Sequence, residues 1–207
     1  EKNYLYKFEI VNMCYYGVPQ TRKRFSLVAS RLGEVELPKP DEKTSLLSEF
    51  IGLHNGFSCV EAGHKDATDF MHTTSRLAPI NIKRLVKTPL NGGSRLAWKD
   101  DPSLQLRCYV GKDHSFTDVY GRLRWDKPSS TYYNQFYKNK QVGRFAHPTE
   151  NRGLSIREGA TLQTFPKDYK FCANSILANA RIIGNAVPPE YARRLGVLLY
   201  KLKEKYN

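Results

Sequence analysis

Cysteine is scarce and scattered in this sequence: Cys14, Cys59, Cys108 and Cys172 form no Cys-x-x-Cys pair. That argues against a zinc module and against a disulfide framework, and it fits a reducing compartment. The histidines, His54, His64, His72, His114 and His147, show no ligand spacing, so no structural metal is expected. No run is long or apolar enough to span a bilayer and no signal-peptide pattern opens the chain, which points to a soluble, intracellular protein. Acidic residues are few as well: 20 Asp plus Glu stand against 33 Lys plus Arg, a formal net charge of +13. Such an excess favours a polyanionic partner, of which nucleic acid is the commonest; a solvated basic surface is the other reading. Apolar residues are not lacking. A hydrophobic content of 40% over 207 residues can bury a real core, in one large domain or two small ones. The chain starts at Glu1, without an initiator methionine and directly before a strand-like run, and so reads as a fragment of something longer.

The stretch Tyr16-Gly17-Val18-Pro19-Gln20-Thr21-Arg22-Lys23-Arg24 lies between two apolar, strand-like runs, Phe8 to Met13 and Phe25 to Ala29. Gly17 and Pro19 are turn residues, so the spacing predicts one strand, a fixed bend and a second strand beside the first. Gln20, Arg22 and Arg24 alternate and would then share one face. Two guanidiniums in line with an amide suit phosphate oxygens, or a polar base edge that gains negative charge during a reaction. A plain basic hairpin loop is the competing reading.

After Ala29 the composition turns polar, with Pro38-Lys39-Pro40-Asp41, and a domain boundary is placed there. Leu46, Leu47, Phe50 and Ile51 predict a short helix ending at Gly52. Pro79 suits the first turn of a helix that carries Ile82, Leu85 and Val86 and stops at Thr88-Pro89. Asn91-Gly92-Gly93-Ser94-Arg95 is either a phosphate-contacting loop or an ordinary turn. Leu104 to Val110, Val119 to Trp125 and Thr131 to Tyr133 read as short strands. Arg122, Arg124, Lys127, Lys138, Lys140 and Arg144 interleave with Tyr120, Trp125, Tyr132, Tyr133, Phe136 and Tyr137, the mixture a nucleic-acid reading surface needs. Aromatics at strand spacing also serve as core. Ser155-Ile156-Arg157-Glu158 is a capping box opening a helix to about Phe165. Gly184-Asn185 reads as a turn exposing amides before a final helix that starts near Pro189, with Tyr191, Leu195, Leu198, Leu199 and Leu202 as its apolar stripe.

Three of these pieces, in this order, resemble motifs eight, nine and ten of the DNA (cytosine-5) methyltransferases. They are Tyr16-Gly17-Val18-Pro19-Gln20-x-Arg22-x-Arg24; His147-Pro148 with Arg152-x-Leu154-Ser155-x-Arg157-Glu158-x-Ala160-x-Leu162-Gln163-x-Phe165-Pro166; and Ile183-Gly184-Asn185-Ala186-Val187-Pro188-Pro189. The long variable stretch separating motif eight from motif nine resembles that family's target recognition domain, and Tyr120-Gly121-Arg122 and Trp125-Asp126-x-Pro128-Ser129-x-Thr131 are similar to landmarks of one bacterial branch. The resemblance implies an α/β fold: the C-terminal fragment of a Rossmann-like, S-adenosylmethionine-dependent methyltransferase sheet plus a small mixed α/β target recognition domain. Its divisions would be 1–37, catalytic-domain strands and bend; 38–148, target recognition; and 149–207, motifs nine and ten with the C-terminal helix. A cytoplasmic, nucleoid-associated bacterial protein of a restriction-modification system is the setting it implies.

That family flips a cytosine out of double-stranded DNA, attacks ring C6 with a cysteine thiolate, and transfers a methyl group from S-adenosylmethionine to C5. By carry-over, Arg24 contacts cytosine O2, with Arg22 beside it and Gln20 shaping the pocket. Asn185, Ala186 and Val187 line the cofactor site, and Thr131 sits near the flipped nucleotide. Arg95, Arg122, Arg124, Lys127, Lys138, Lys140 and Arg144 are the expected DNA contacts. The departures from the family pattern are as informative. The aromatic-Gly-x-Gly cofactor loop, the Glu-Asn-Val segment and the nucleophile's Pro-Cys dipeptide are absent, since the cysteines follow Met13, Ser58, Arg107 and Phe171. The expectation is therefore a chain inactive alone, with an N-terminal catalytic half or subunit as partner. A DNA-binding or interaction protein derived from such an enzyme is the alternative. The strands near the start would expose apolar edges unless another polypeptide completes the sheet.

Overall fold

In the computed structural model, residues 3–115, 117–130 and 146–206 are described. The alternation of the opening residues produces a long antiparallel pair: β1 (Leu5–Asn12) runs against β3 (Lys23–Ser30), from Leu5 opposite Ser30 to Asn12 opposite Lys23. One face of this ribbon meets the long C-terminal helix α4 (Pro189–Tyr206). Val11, Met13, Tyr16 and Val18 pack there with Tyr191, whose hydroxyl donates to Ser26 Oγ at 2.7 Å. The other face carries Tyr6, Phe8, Ile10, Phe25 and Leu27, each more than half exposed.

The bend is held by its own glycine. Gly17 has φ +77°, a conformation costly for other residues, and a Cβ there would sit 2.9 Å from Glu190 Cγ. Beyond it, the short strand β2 (Gln20–Thr21) pairs in parallel with β4 (Ser129–Ser130). This bridge ties the bend to the middle of the chain, with Ser129 N donating to Pro19 O at 2.8 Å.

The middle region is built from tight turns around one helix, α1 (Pro79–Lys87), which has Pro79 in its first turn as predicted. Leu85, Trp98, Leu104, Tyr120 and Ala146 form its core. A second core joins Leu47, Ile51, Phe57 and Leu123 to Leu154 and Leu162, so apolar packing runs across the expected boundary near residue 148. Three sequence expectations are corrected here. The helix expected before Gly52 is only a 3-10 turn, Leu47–Glu49. The strands expected at 104–110 and 119–125 are instead turns, with a 3-10 segment at Arg107–Tyr109 and an isolated bridge between Arg122 and Ala146. Their apolar residues Leu104, Val119 and Tyr120 act as single anchors into the α1 core, and the Leu104 carbonyl accepts from Arg84 Nε of α1 at 2.8 Å instead of from a neighbouring strand. The third expected strand, Thr131 to Tyr133, lies outside the described residues.

The capping box forms as read. Ser155 Oγ accepts from Glu158 N at 3.1 Å, and Ser155 N donates to Glu158 Oε2 at 2.6 Å, opening α2 (Ile156–Leu162). That helix is buried along its whole length and ends three residues before Phe165. It packs with Met71 against α3 (Ile176–Asn185) through Ile156, Ala160, Ala180 and Ile183. Gly184 and Asn185 thus close α3 instead of forming a turn before α4; the bend between the helices is Ala186-Val187-Pro188. The apolar stripe of α4 is buried at Tyr191, half-buried at Leu195, Leu198 and Leu202, and exposed at Leu199. No helix among the described residues is long and apolar enough to cross a membrane.

Candidate active-site and cofactor-side cluster

Three elements converge where β2, the end of α2 and the end of α3 meet. Along the bend, Gln20 and Arg22 are buried and Arg24 is half-buried, while Thr21, Lys23 and Phe25 are exposed. The three polar side chains therefore lie on one side, as their spacing predicts. Gln20 Nε2 donates to Leu162 O at 3.1 Å and to Gln163 Oε1 at 2.9 Å. Gln163 Nε2 in turn donates to Ile183 O at 3.1 Å and Ala186 O at 3.0 Å. Arg22 Nη2 donates to Gly184 O at 2.9 Å. That carbonyl belongs to the last turn of α3, where helix carbonyls concentrate partial negative charge, so a guanidinium is well placed there. Arg24 stands opposite Val11 on β1, and its Nη1 donates to Lys23 O at 2.7 Å. Asn185 and Val187 are exposed and Ala186 is half-buried, on the surface next to this cluster.

Below α2 lies a charged layer that sequence reasoning treated as an ordinary helix start. Arg152 spans Glu158 through two bonds of 2.7 and 2.8 Å and Glu150 through two of 3.0 and 3.2 Å. Burial pushes the Glu158 carboxyl up, but the Arg152 hydrogen bonds and charge outweigh it and hold the group below its ordinary value. His147 is buried beside them, under the edge of Trp125 with ring centroids 5.3 Å apart. Burial lowers its pKa to about 4. Its Nδ1 accepts from Glu150 N at 3.0 Å, so a proton there would face a donor. Arg157 holds Asp69 at 2.7 and 2.9 Å and Tyr169 O at 2.8 Å, fastening α2 to the loops on either side.

The expected DNA contacts divide sharply. Arg95, 0% exposed, donates to Lys112 O and to Ser115 O and stacks 4.6 Å over the Tyr109 ring. Arg122, 5% exposed, donates to the carbonyls of Leu85, Thr88, His147 and Glu150 and to Asn151 Oδ1. Both were expected on the surface. They are interior girders instead, because a turn-rich region leaves carbonyls without ladder partners and a guanidinium can serve several at once. The adjacent Gly93 likewise serves internal packing: a Cβ there would lie 2.1 Å from Pro89 O. Arg124 and Lys127 are exposed, and Arg124 pairs with Asp126 at 2.7 and 2.9 Å. Thr131, Lys138, Lys140 and Arg144 lie outside the described residues. Cys14 is buried and burial raises its thiol pKa, whereas Cys59, Cys108 and Cys172 are exposed.

A sequence model of the family described as C-5 cytosine-specific DNA methylase matches residues 1–201. The chain belongs to that family. It is 36% identical over 194 residues to the type II methylase M.HgiDII of Herpetosiphon aurantiacus, an alignment covering 89% of this chain and 52% of that protein. It is 29% identical over 203 residues to the type II methyltransferase M.PspPI of a Psychrobacter strain, covering 94% and 45%. A shorter match, 40% identical over 90 residues, reaches DNA (cytosine-5)-methyltransferase 1 of Mus musculus, covering 43% of this chain and 6% of that one. The chain thus spans about half the length of the bacterial relatives. The fold resembles the Entamoeba histolytica methyltransferase EhMeth, with a TM-score of 0.52 and 14% identity over 96% of this chain and 54% of that one. A prophage-encoded methyltransferase structure from E. coli aligns with a TM-score of 0.64 and 17% identity, covering 97% and 61%.

Methylases of this family use S-adenosylmethionine and act on DNA. Gln163, Arg152 and His147 all stand in the second motif of the sequence. The partners of Gln163 lie far along the chain, whereas Arg152 and His147 meet Glu150 and Glu158 within the motif itself, where the local reading saw only a capped helix.

Proposed function

We propose that this chain is the C-terminal portion of a DNA (cytosine-5) methyltransferase, contributing target recognition and part of the base and cofactor pockets. The observation that carries the reading is the junction of the Gln20–Arg22 bend with Gly184 and Ala186. The bend that bears Arg24 and the Asn185–Val187 surface are thereby parts of one rigid cluster. A pure binder has no need of that junction. When bound, S-adenosylmethionine supplies the methyl group; Asn185, Ala186 and Val187 would hold it, since they offer an exposed amide and apolar surface beside the cluster. Arg24 is the group that would meet cytosine O2 and offset charge there as C6 is attacked, with Arg22 holding the strand that carries it. Arg124 and Lys127, flanking Trp125, would meet phosphate or base edges of duplex DNA.

The nucleophile must come from elsewhere. None of the four cysteines follows a proline, and burial raises the thiol of Cys14, the opposite of activation. The apolar face of Tyr6, Phe8, Ile10, Phe25 and Leu27 fits a complementing N-terminal half or subunit carrying the Pro-Cys motif, because exposed contiguous apolar patches of this kind mark interaction surfaces. The same missing thiol favours a second reading, a DNA-binding relative without catalysis. Arg24→Ala in the assembled enzyme separates them: turnover should fall by about 10²–10³-fold, as for loss of one oxyanion donor, with far less effect on DNA affinity. Equal losses in both would make Arg24 a phosphate anchor and favour the binder.

A further inference from the structure

We propose that Gln163 is a positioning residue that couples the base-side bend to the cofactor-side end of α3, so that the two ligands reinforce one another's binding. The proposal rests on the methyltransferase reading above. Gln163 is 0% exposed and follows the last residue of α2, where its backbone N donates to Ala160 O at 3.0 Å and Gly159 O at 3.2 Å. The side chain is consequently fixed at its root.

Its amide is used in both directions. The oxygen accepts from Gln20 Nε2 at 2.9 Å, and the nitrogen donates to Ile183 O at 3.1 Å and Ala186 O at 3.0 Å. A flipped amide would set nitrogen against nitrogen and oxygen against two carbonyls, so a single orientation satisfies all three partners. Gln20 lies on the bend that leads to Arg22 and Arg24. Ala186 is one of the residues expected at the cofactor. A displacement of the bend on base binding is therefore transmitted through this buried amide to the segment facing the cofactor, in parallel with the bond from Arg22 Nη2 to Gly184 O. Such a link acts equally in both directions: if base binding tightens cofactor binding by some factor, the cofactor tightens base binding by the same factor.

The test uses the enzyme assembled from this chain and the complementing Pro-Cys half. The dissociation constant of S-adenosylhomocysteine is measured with and without a saturating cytosine-containing duplex, and that of the duplex with and without S-adenosylhomocysteine. In the unmodified protein both ratios should agree, at roughly 5-fold or more. In Gln163→Leu, which removes the three hydrogen bonds at similar volume and leaves the Arg22–Gly184 bond in place, both ratios should fall together by at least half while each ligand alone binds within a few-fold of normal. Gln163→Glu is the second variant, because it keeps the acceptor for Gln20 and opposes the two carbonyls; it should lower the coupling at pH 8 also. A purely structural role would lower the melting temperature and weaken both ligands without changing the ratios, and ratios preserved in either folded variant overturn the proposal. Unmodified protein that binds neither ligand and transfers no methyl group marks failure of the methyltransferase reading itself, and the coupling falls with it.

Discussion

Replacing Glu158 by Gln should unfold this chain far more readily than any change at the surface. Glu158 is fully buried and serves three donors: Arg152 Nη1 and Nη2 at 2.7 and 2.8 Å, and Ser155 N at 2.6 Å. In Glu158→Gln one oxygen survives as acceptor, while the new NH2 group meets either a guanidinium or a backbone N–H. Arg152, itself 0% exposed, would keep only Glu150 as a charged partner. Breaking one side of a buried ion pair costs about 3–5 kcal/mol, and half of the capping box, worth about 1 kcal/mol, is put at risk as well. Retained pairing with Glu150 moves the expectation to the lower end, about 3 kcal/mol. Urea denaturation followed by circular dichroism reads this as a lower midpoint at unchanged slope. Glu190→Gln, at the partly exposed pairs with Arg193 and Arg194, is the control and should cost about 1 kcal/mol or less. A Glu158→Gln loss as small as the control would show that the Arg152–Glu158 pair contributes no more than a surface contact, and the account of α2 as the charged anchor of the fold would be wrong.

Other consequences follow from the same geometry. His147 is held neutral with its pKa lowered from 6.5 to about 4, so the unfolded chain takes up this proton first as pH falls. Its contribution, about 3 kcal/mol at most, is complete above pH 6.5 and lost on descending to pH 4; an unchanged urea midpoint in His147→Gln relative to the parent across that window would contradict it. Gly17→Ala forces a side chain onto a φ of +77° and against Glu190, and should cost about 1–3 kcal/mol, whereas a neutral result in thermal melts would mean the bend relaxes freely. Ile10→Lys lies on the exposed apolar face: the stability of the chain alone should change by less than about 0.5 kcal/mol, while association with a complementing half, measured by sedimentation, should weaken at least tenfold. Equal association by the parent and Ile10→Lys would place the partner elsewhere.

What the sequence disclosed and what it hid divide according to the range of the interactions. The β1–β3 ribbon and the Ser155 box were legible because strand alternation and capping involve residues a few positions apart. Pro79 and Pro189 marked helix starts for the same reason. Arg95 and Arg122 were misplaced because charge patterning assumes solvent, and nothing local says that a turn-rich core will leave carbonyls in need of a guanidinium. The runs at 104–110 and 119–125 have strand composition, yet Leu104 and Tyr120 are anchors of the α1 core, and tertiary packing overrode the propensity. Gln163 passed unnoticed since its partners are Gln20, 143 positions away, and the end of α3. A glutamine after a helix carries no local sign of such a role.

The central proposal is that this chain completes a cytosine-5 methyltransferase whose nucleophile lies outside these 207 residues, in an N-terminal half or subunit. Incorporation of labelled methyl groups from S-adenosylmethionine into duplex DNA should be measured with this chain alone, with a Pro-Cys-bearing N-terminal half of a related type II methylase alone, and with the two together. The account predicts background counts in the first two and methylated cytosine in the third. A stable complex that binds duplex DNA and transfers no methyl group to any cytosine-containing sequence would contradict it.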